Sequence, residues 1–441
     1  MRIRRLHLEN FKKFPMLDLE LDSHFTLLVG ENGAGKTSVL DALSVAAGIW
    51  LAEATDSMLD NSGRSILRSE IRLEAVTKGD RRQFVEHKPC IVRATGQIDG
   101  RDGVEWTRQI REDGSRMTDA DAKAARKLVA DVFARDKAGQ DVLCPVLAYY
   151  GAGRTWLPSH DRVPTADGDG PARRWEAFYD CFNERIRFPR LTKWFARETT
   201  ARGNNEGRWR PGAEVVRQAV VRCVPGADDV CYDPDLEQII ISIDGNTQPL
   251  GNLSAGQRMM LGLVADLAIK VVTQNAYLLP PKVLAPEDNP LPRVLAQTPG
   301  LVLIDELDVH LHPRWQRQVA SDLKDIFPAI QFVCTSHSAQ IIGELQRKEI
   351  RVMKGNRAEE PQVAYGADSN WILEHVMGAE ERTGPATEKI AEVEDAIEEG
   401  ELEQAQKGVA ELKDMVGGEE GEVTRLEATI RNLEALADAE D

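Results

Sequence analysis

The stretch with the most specific chemistry is GENGAGKT, from Gly30 to Thr37. It follows an apolar segment, precedes a predicted helix and matches the phosphate-loop pattern G-x-x-x-x-G-K-[ST]. Main-chain N–H groups of such a loop point at phosphate oxygens, and its glycines permit close approach. Lys36 is expected on the β- and γ-phosphates and Thr37 on Mg²⁺; the alternative is an ordinary glycine-rich turn. The predicted nucleotide contacts are Gly30, Glu31, Asn32, Gly33, Ala34, Gly35, Lys36, Thr37 and Ser38.

A pair of carboxylates ends the apolar run LVLIDE, residues 301–306. In phosphoryl transfer a carboxylate at the end of such a strand holds Mg²⁺, a role that falls to Asp305. The next residue, Glu306, is placed to orient the attacking water or to accept its proton. Two acids before a helix can instead form its N-cap, and that alternative remains beside the catalytic one.

Two further stretches carry polar side chains at element ends. QFVCTSHS (331–338) reads as a buried strand that closes on His337, which can donate a hydrogen bond to a γ-phosphate or serve a structural role. LSAGQ (253–257) opens an apolar helix, and Ser254 is its predicted N-cap. Capping explains Ser254 but not the whole Ser-x-Gly-Gln pattern, which lies roughly 200 residues after the phosphate loop.

GENGAGKT, LSAGQ, LVLIDELD and TSH, in that order, resemble the motifs of ATP-binding-cassette (ABC) ATPases of the RecF, SMC and Rad50-like branch. RIRRLHLENFKKF at the start looks like the first strands of RecF-like proteins. ELDVHLHPRWQR, PVLAYYGAGR and YGADSNWILEHVMG are similar to a bacterial group of stand-alone ATPases. That group includes PtuA, the ATPase of Septu anti-phage systems, which also accompanies some retrons.

The resemblance implies an α/β fold: an ABC-type P-loop head with a mixed sheet, an antiparallel subdomain, an inserted helical lobe and a C-terminal helical appendage. It implies Mg²⁺-dependent hydrolysis of ATP to ADP and phosphate, with Lys36, Glu306 and His337 as catalytic residues. Heads of this kind pair head-to-tail, so that Ser254, Gly256, Gln257 and Asp308 complete the ATP site of another subunit. A homodimer or higher oligomer is therefore expected.

The resemblance further implies anti-phage defence, with head pairing that gates a separate HNH-type nuclease. Two alternatives stay open: a RecF-like DNA-repair ATPase without a nuclease partner, and an ATP-sensing scaffold that rarely hydrolyses. Contact with DNA is compatible with the defence function and with the repair function. An HNH gene beside this one would favour defence over repair.

Composition and charge limit the remaining classes. The 441 residues carry a net charge of −17, of which Glu380 to Asp441 contribute −14 through 20 acidic and six basic residues. No apolar run is long enough for a membrane span, and no apolar core follows the basic N-terminus as in a signal peptide. Six scattered cysteines fit a reducing compartment, so we expect a cytoplasmic protein.

The elements that must position these motifs suggest four segments. Residues 1–118 are predicted to hold the N-terminal half of the head, 119–245 an inserted lobe with return strands, 246–378 the C-terminal half, and 379–441 an acidic helical tail. We expect one small antiparallel sheet over 69–112, a helix near RWEAFYDCFNERI and a loop at 159–172.

Some residues have no settled role. Gln97 and Gln109 are candidates for a lid glutamine, and Lys12 and Lys13 either flank the adenine or lie in a solvated turn. His310 and His312 suggest a metal site or, alternatively, a structural loop. A basic and aromatic region suits nucleic acid or, alternatively, aromatics in the core and arginines in ion pairs; it comprises Arg173, Arg174, Trp175, Arg185, Arg187, Arg190, Lys193, Trp194, Phe195, Arg202, Arg208, Trp209 and Arg210.

Overall fold

The computed structural model describes residues 1–52, 63–78, 81–154, 174–279, 291–379, 384–418 and 420–440. The loop expected at 159–172 lies outside these residues, as does Arg173. The chain divides into two compact units, Met1–Ile372 and Leu373–Asp441, each with its own core.

The strands are β1 (Arg2–Phe11), β2 (Phe14–Glu20), β3 (Phe25–Val29), β4 (Leu73–Lys78), β5 (Arg81–Glu86), β6 (Cys90–Ile98), β7 (Arg101–Ile110), β8 (Val146–Tyr150), β9 (Ala227–Asp233), β10 (Gln238–Ile243), β11 (Asn246–Pro249), β12 (Gly300–Ile304), β13 (Ile330–Thr335), β14 (Ile350–Lys354) and β15 (Arg357–Glu359). The helices are α1 (Lys36–Ala47), α2 (Lys123–Lys137), α3 (Phe188–Gly203), α4 (Pro211–Cys223), α5 (Ala255–Gln274), α6 (Arg293–Gln297), α7 (Pro313–Ile326), α8 (Ala339–Gly343), α9 (Ser369–His375), α10 (Gly384–Glu398), α11 (Leu402–Val416) and α12 (Gly421–Glu440).

The main sheet of the first unit has six strands in the order β15-β14-β3-β13-β12-β8. All neighbours are parallel except β15, which runs antiparallel to β14. Every residue of β3, β8, β12 and β13 is buried, which is the near-continuous apolar pattern of strands covered on both faces. The carboxyl ends of these parallel strands meet at one edge, where ligands of open α/β sheets bind.

A second, antiparallel sheet has the order β2-β1-β6-β7. Helix α1 contacts strands of both sheets, β1, β6 and β7 on one side and β12 and β13 on the other. Trp106 of β7 is fully buried and donates from its indole Nε1 to the Ala46 carbonyl at 3.0 Å. The helix that follows the phosphate loop is therefore enclosed by the core, and its N-terminus has a fixed position. The expected α/β head with an antiparallel subdomain is confirmed.

Two local predictions differ from the structure. The strands expected as one sheet over 69–112 belong to two sheets, because β4 and β5 pair only with each other while β6 and β7 join β1. The helix expected near RWEAFYDCFNERI is a 3₁₀ turn over Arg174–Phe178, since the chain then runs beside β8 through the Tyr149 N–H bond to the Cys181 carbonyl.

The second unit contains α10, α11 and α12, within the segment predicted to be an acidic helical tail. Its core consists of Val393, Ala396, Ala405, Val409, Leu412, Val423, Leu426 and Ile430. Gly408 lets α11 approach α10 closely, since a Cβ there would lie 2.6 Å from Val393. The pairs Lys389–Glu411 and Lys413–Glu427 connect neighbouring helices. The acidic tail is thus a small packed bundle.

Gln331 on β13 connects the main sheet to the antiparallel sheet through the main chain of Ile3 on β1. Its amide accepts from the Ile3 N–H at 2.8 Å and donates to the carbonyls of Ile3 at 2.7 Å and Asp22 at 2.8 Å. The side chain is fully buried, so water cannot replace these bonds.

We predict that Gln331→Leu lowers the free energy of unfolding by about 2–4 kcal/mol, because it leaves buried main-chain groups without partners. Denaturant unfolding measures this difference. Gln140→Leu, at an exposed position, is the control and should change stability by no more than about 0.5 kcal/mol. Equal stability of the two variants would contradict the prediction.

Candidate nucleotide site

A cavity of about 410 Å³ opens at the carboxyl edge of the main sheet. Its walls come from the turn between β1 and β2, the loop between β3 and α1, and the ends of β12 and β13. The lining residues are Lys12, Lys13, Asn32, Gly33, Gly35, Lys36, Thr37, Ser38, Asp305, Glu306, Thr335 and His337. The structure thus brings together the phosphate loop, the carboxylate pair and the strand-end histidine that the sequence predicts as one site.

The phosphate loop depends on glycines at two tight positions. Gly30 (φ +150°) follows β3, and a Cβ there would lie 2.8 Å from the Met353 carbonyl oxygen. Gly35 (φ +97°) precedes α1, and its Cβ would lie 2.4 Å from the buried Phe14 ring. The N-cap of α1 is Gly35, which has no side chain to accept from the first N–H groups of the helix, and Gly35 to Ser38 line the cavity. Such a helix start is suited to phosphate.

Lys36 lies inside this loop. Its Nζ donates to the carbonyl oxygens of Gly30 at 2.7 Å and Glu31 at 3.1 Å. Burial lowers the pKa of Lys36, while the negative charges of Asp305, Glu306 and Asp308 oppose that shift. A partly desolvated ammonium group held by neutral carbonyls is suited to an incoming anion.

Asp305 is held by two hydroxyl groups. Thr37 Oγ1 donates to Asp305 Oδ2 at 2.9 Å, and Thr335 Oγ1 donates to Asp305 Oδ1 at 2.6 Å. Mg²⁺ in nucleotide sites is bound by one or two protein oxygens, with phosphate and water completing its octahedron. The hydroxyl of Thr37 and the carboxylate of Asp305 fit that requirement. Among the described residues there is no cluster of three or more His, Cys, Asp or Glu that could by itself bind a metal.

Glu306 has a left-handed backbone conformation, with φ of +50°. Its N–H donates to Thr335 Oγ1 at 2.7 Å, and its carbonyl accepts from Arg154 Nη2 at 3.0 Å. The side chain lines the cavity next to Asp305. A carboxylate in this position can accept a proton from a water molecule in the cavity.

Asp308 lies beside His337 in the same chain. Its Oδ1 accepts from Ser336 Oγ at 2.6 Å and from the His337 N–H at 3.3 Å. The imidazole of His337 lines the cavity, whereas Asp308 is not among the described lining residues. Asp308 therefore holds the histidine's main chain; its expected contact with another subunit's nucleotide stays a prediction.

Ser254 is the N-cap of α5, as the sequence predicts. Gln257 N–H donates to Ser254 Oγ at 3.2 Å, and Ser254 N–H donates to Gln257 Oε1 at 3.0 Å, which forms a capping box. Gly256 packs against the loop after β12, where a Cβ would lie 2.4 Å from the His310 carbonyl oxygen. Ser254, Gly256 and Gln257 are absent from the described lining of the cavity.

His312, Lys12 and Lys13 each have a defined place in the structure. His312 is the N-cap of α7, where its Nδ1 accepts from the Arg314 N–H at 3.3 Å. Lys12 and Lys13 both line the cavity; Lys12 also pairs with Asp41, and Lys13 donates to the Gly33 carbonyl at 2.5 Å.

Neither glutamine proposed for a lid is among the described residues that line the cavity. Gln97 donates to the Gly100 carbonyl and Gln109 donates to Asp121. Strand β8 adjoins β12 on the side away from β13, and the turn after β8, from Gly151 to Arg154, contains no glutamine.

In the basic and aromatic region Phe195 and Trp209 are buried, whereas the basic side chains Arg190, Lys193, Arg202, Arg208 and Arg210 are exposed. Trp209 is 8% exposed and lies between the guanidinium groups of Arg202 and Arg217, at 4.7 and 4.9 Å from its ring. Trp175 packs on Phe133 and Phe178. Arg174 and Arg187 pair with Asp136 and Asp180. These contacts favour core and ion-pair roles over stacking on bases.

Three residues near the site were missed by sequence reasoning. Thr335 holds Asp305, Arg154 holds the main chain after β12, and Glu184 lies against Gly151, whose added Cβ would be 2.7 Å from Glu184 Oε2. Burial, together with the nearby charges of Asp41 and Asp305, raises the pKa of Glu184. The position of Thr335 in TSH, at the end of a predicted strand, is a sequence signal for its role. The roles of Arg154 and Glu184 depend on contacts with residues distant in the sequence.

The class follows from the strand order. The phosphate loop is on β3, the histidine follows the neighbouring β13, and the carboxylate pair follows β12 beyond it. This arrangement gives the first unit the α/β fold of a P-loop nucleotide-binding head. Among the described residues, no helix has the length and apolarity needed to cross a bilayer.

Known proteins similar to this chain agree with the class. A family model described as an AAA domain matches residues 5–184, and one described as AAA domain, putative AbiEii toxin, Type IV TA system, matches residues 243–343. The retron Ec83 probable ATPase of Escherichia coli is 23% identical, over 87% of this chain and 77% of that protein. The retron Vc95 probable ATPase of Vibrio cholerae serotype O1 biovar El Tor is 24% identical, over 80% and 73%.

Septu protein PtuA of Bacillus mycoides is 22% identical, and the match spans 82% of this chain but 42% of that protein. The predicted similarity to retron and Septu ATPases is thereby confirmed over most of the chain.

We predict that Gly35→Ala weakens ATP binding at least 100-fold, because a Cβ would overlap the Phe14 ring and displace the loop. Gly33→Ala is the matched control: its φ is +78°, but no atom lies within 4 Å of its added Cβ. Backbone strain of about 1 kcal/mol should weaken binding there by no more than about tenfold. Titration with a fluorescent ATP analogue measures both, and equal losses would contradict the prediction.

Proposed function

We propose that this chain binds ATP with Mg²⁺ in the cavity at the end of the main sheet and hydrolyses it to ADP and phosphate. The supporting observation is the convergence of Thr37, Asp305 and Glu306 next to the phosphate loop. When bound, Mg²⁺ would neutralise charge on the phosphates and be held by Thr37 and Asp305. Lys36 would exchange its carbonyl partners for phosphate oxygens.

The remaining chemistry is assigned to Glu306 and His337. Glu306 accepts a proton as the water oxygen bonds to the γ-phosphorus and the bond from that phosphorus to the ADP oxygen breaks. His337 donates to a γ-phosphate oxygen as negative charge is redistributed. Thr335 Oγ1 donates to the carboxylate of Asp305 but accepts only from the main-chain N–H of Glu306. The Glu306 carboxylate is therefore not engaged by Thr335 and serves as the proton acceptor.

A second copy of the chain is proposed to complete each site. Ser254 is exposed and does not belong to the described lining of its own cavity. It lies at the N-terminus of the 20-residue helix α5, where the helix dipole favours negative charge. We place the γ-phosphate of a neighbouring subunit at this helix start, near Ser254 and Gly256.

The biological role we propose is anti-phage defence, in which paired heads gate a separate HNH-type nuclease. This proposal is supported by the names of the similar proteins, two retron probable ATPases and a Septu protein PtuA. The bundle Leu373–Asp441, with its own core, is a candidate surface for such a partner. The inward-facing aromatic residues near α3 and α4 give less support to a repair factor that acts on DNA alone.

We predict that Glu306→Gln lowers the turnover number for ATP at least 100-fold and changes ATP affinity less than threefold, since the amide keeps the shape but cannot accept a proton. An ATP-bound dimer should accumulate, measured by light scattering. Glu359→Gln, an exposed substitution on β15, is the control. Unchanged turnover and assembly in Glu306→Gln would contradict the catalytic assignment.

The same trapped protein separates defence from repair and from sensing. With ATP, it should co-purify with a small nuclease from a neighbouring gene, whereas a repair factor would retain DNA without a nuclease. A sensing scaffold would assemble with ATP in the wild-type protein and show no dependence on Glu306.

We predict that Ser254→Arg abolishes hydrolysis while ATP affinity stays within threefold, because Ser254 serves the site of another subunit. Lys36→Ala should also be inactive, through loss of binding. Mixing the two inactive proteins should restore activity, since one pairing joins an intact phosphate loop to an intact Ser254. A mixture that stays inactive although mixed dimers form would show that Ser254 does not act in trans.

A further inference from the structure

Arg154 is a buried cation at the end of β8. The residue is 2% exposed, and burial lowers the pKa of its guanidinium. Nη1 donates to the carbonyl oxygens of Asp305 at 2.6 Å and Gly151 at 3.2 Å, and Nη2 donates to that of Glu306 at 3.0 Å. Its Nε has no hydrogen-bond partner among the described residues. Its hydrogen-bond acceptors are thus main-chain carbonyls, and the negative charges of Asp305, Glu306 and Asp308 partly oppose the effect of burial on its pKa.

The carbonyls that Arg154 binds flank the proposed general base. Glu306 has a φ of +50°, and such a conformation costs a non-glycine residue of order 1–3 kcal/mol. The Glu306 peptide is held from two sides, by Thr335 Oγ1 at its N–H and by Arg154 at its carbonyl. Together these bonds fix the direction in which the Glu306 side chain enters the cavity.

Arg154 also contacts the helix that begins at Ser254. Nη2 lies 3.6 Å from Sδ of Met259 on α5. The same strand end reaches α5 a second time, because the Tyr150 hydroxyl donates to Asp266 Oδ2 at 2.7 Å. Strand β8 and its turn thus connect α5 to the main chain of the carboxylate pair.

We propose that Arg154 is a positioning residue that holds Glu306 in its left-handed conformation and makes this geometry depend on the position of α5. This inference rests on the proposed function of Glu306. It also gives a role to the turn after β8, from Gly151 to Arg154. This turn contains no glutamine and lies beside the end of β12. Among the described residues Arg154 has no ion-pair partner, and burying such a cation costs free energy. Positioning Glu306 is a functional reason for retaining it.

We predict that Arg154→Lys lowers the turnover number about 30-fold or more and changes KM and ATP affinity less than threefold. A lysine keeps the charge, but its single nitrogen cannot hold the two carbonyls in the planar geometry of a guanidinium. The decisive readout is the double variant with Glu306→Gln. If Arg154 acts through Glu306, Arg154→Lys should cause less than a threefold further loss in that background.

Arg351→Lys is the matched control. Arg351 is 7% exposed and also binds main-chain carbonyls, those of Glu20, Lys348 and Ile350 at 2.8 Å, but at another part of the sheet. It should lower the midpoint of thermal unfolding and leave the turnover number within twofold. Should Arg154→Lys fail to fold, Arg154→Gln supplies the same comparison, because its amide can still donate to one carbonyl.

Three outcomes overturn the inference in different ways. Wild-type turnover in a folded Arg154→Lys protein removes the positioning role while the ATPase stands. An equal loss in the wild-type and Glu306→Gln backgrounds shows that Arg154 acts elsewhere. If the single substitution Glu306→Gln leaves the turnover number unchanged, Glu306 is not the general base, and the role of Arg154 is refuted with it.

Discussion

The hydrogen bonds that Thr37 and Thr335 donate to Asp305 are the constraint on which the site depends. They require the ends of β3, β13 and β12 to meet at one level, and the parallel register does this by pairing Cys334 with both Leu27 and Ile304. A shift of one residue would turn Thr335 to the other face of the sheet and leave Asp305 without that donor. The buried apolar strands therefore fix the site geometry as well as the core.

The buried charged groups of the site have mainly neutral hydrogen-bond partners, so a bound ligand of opposite charge would stabilise them. Lys36 donates to carbonyls, Asp305 accepts from hydroxyls, and Arg154 is held by main-chain dipoles. Each arrangement costs desolvation that neutral partners only partly offset. An anion near Lys36 and a divalent cation near Asp305 would offset it further, which is the charge pattern of a nucleotide with its metal. The raised pKa of Glu184 arises partly from the same accumulation of carboxylates.

Features set by consecutive residues could be predicted, whereas features set by packing could not. The phosphate loop, the carboxylate pair and the cap at Ser254 are local, because glycine, serine and strand-end acids act through their own main chain. The 3₁₀ turn at Arg174–Phe178 replaced an expected helix since pairing beside β8 satisfied the same backbone. Arg154 gave no signal, because its meaning depends on carbonyls about 150 residues away.

The loop between Glu306 and α7 joins parts of the site that are distant in sequence. Its Asp308 is held by Ser336, and its His310 carbonyl lies against Gly256 at the start of α5. Because these contacts are close and leave no space for a Cβ, a movement of the helix start must displace the loop or be blocked by it. The distance between Ser254 and the phosphate loop in the sequence is thus bridged by packing. Gly256 lies against the His310 carbonyl, and Met259 of the same helix contacts Arg154, so two sets of contacts connect the start of α5 with the main chain around Glu306.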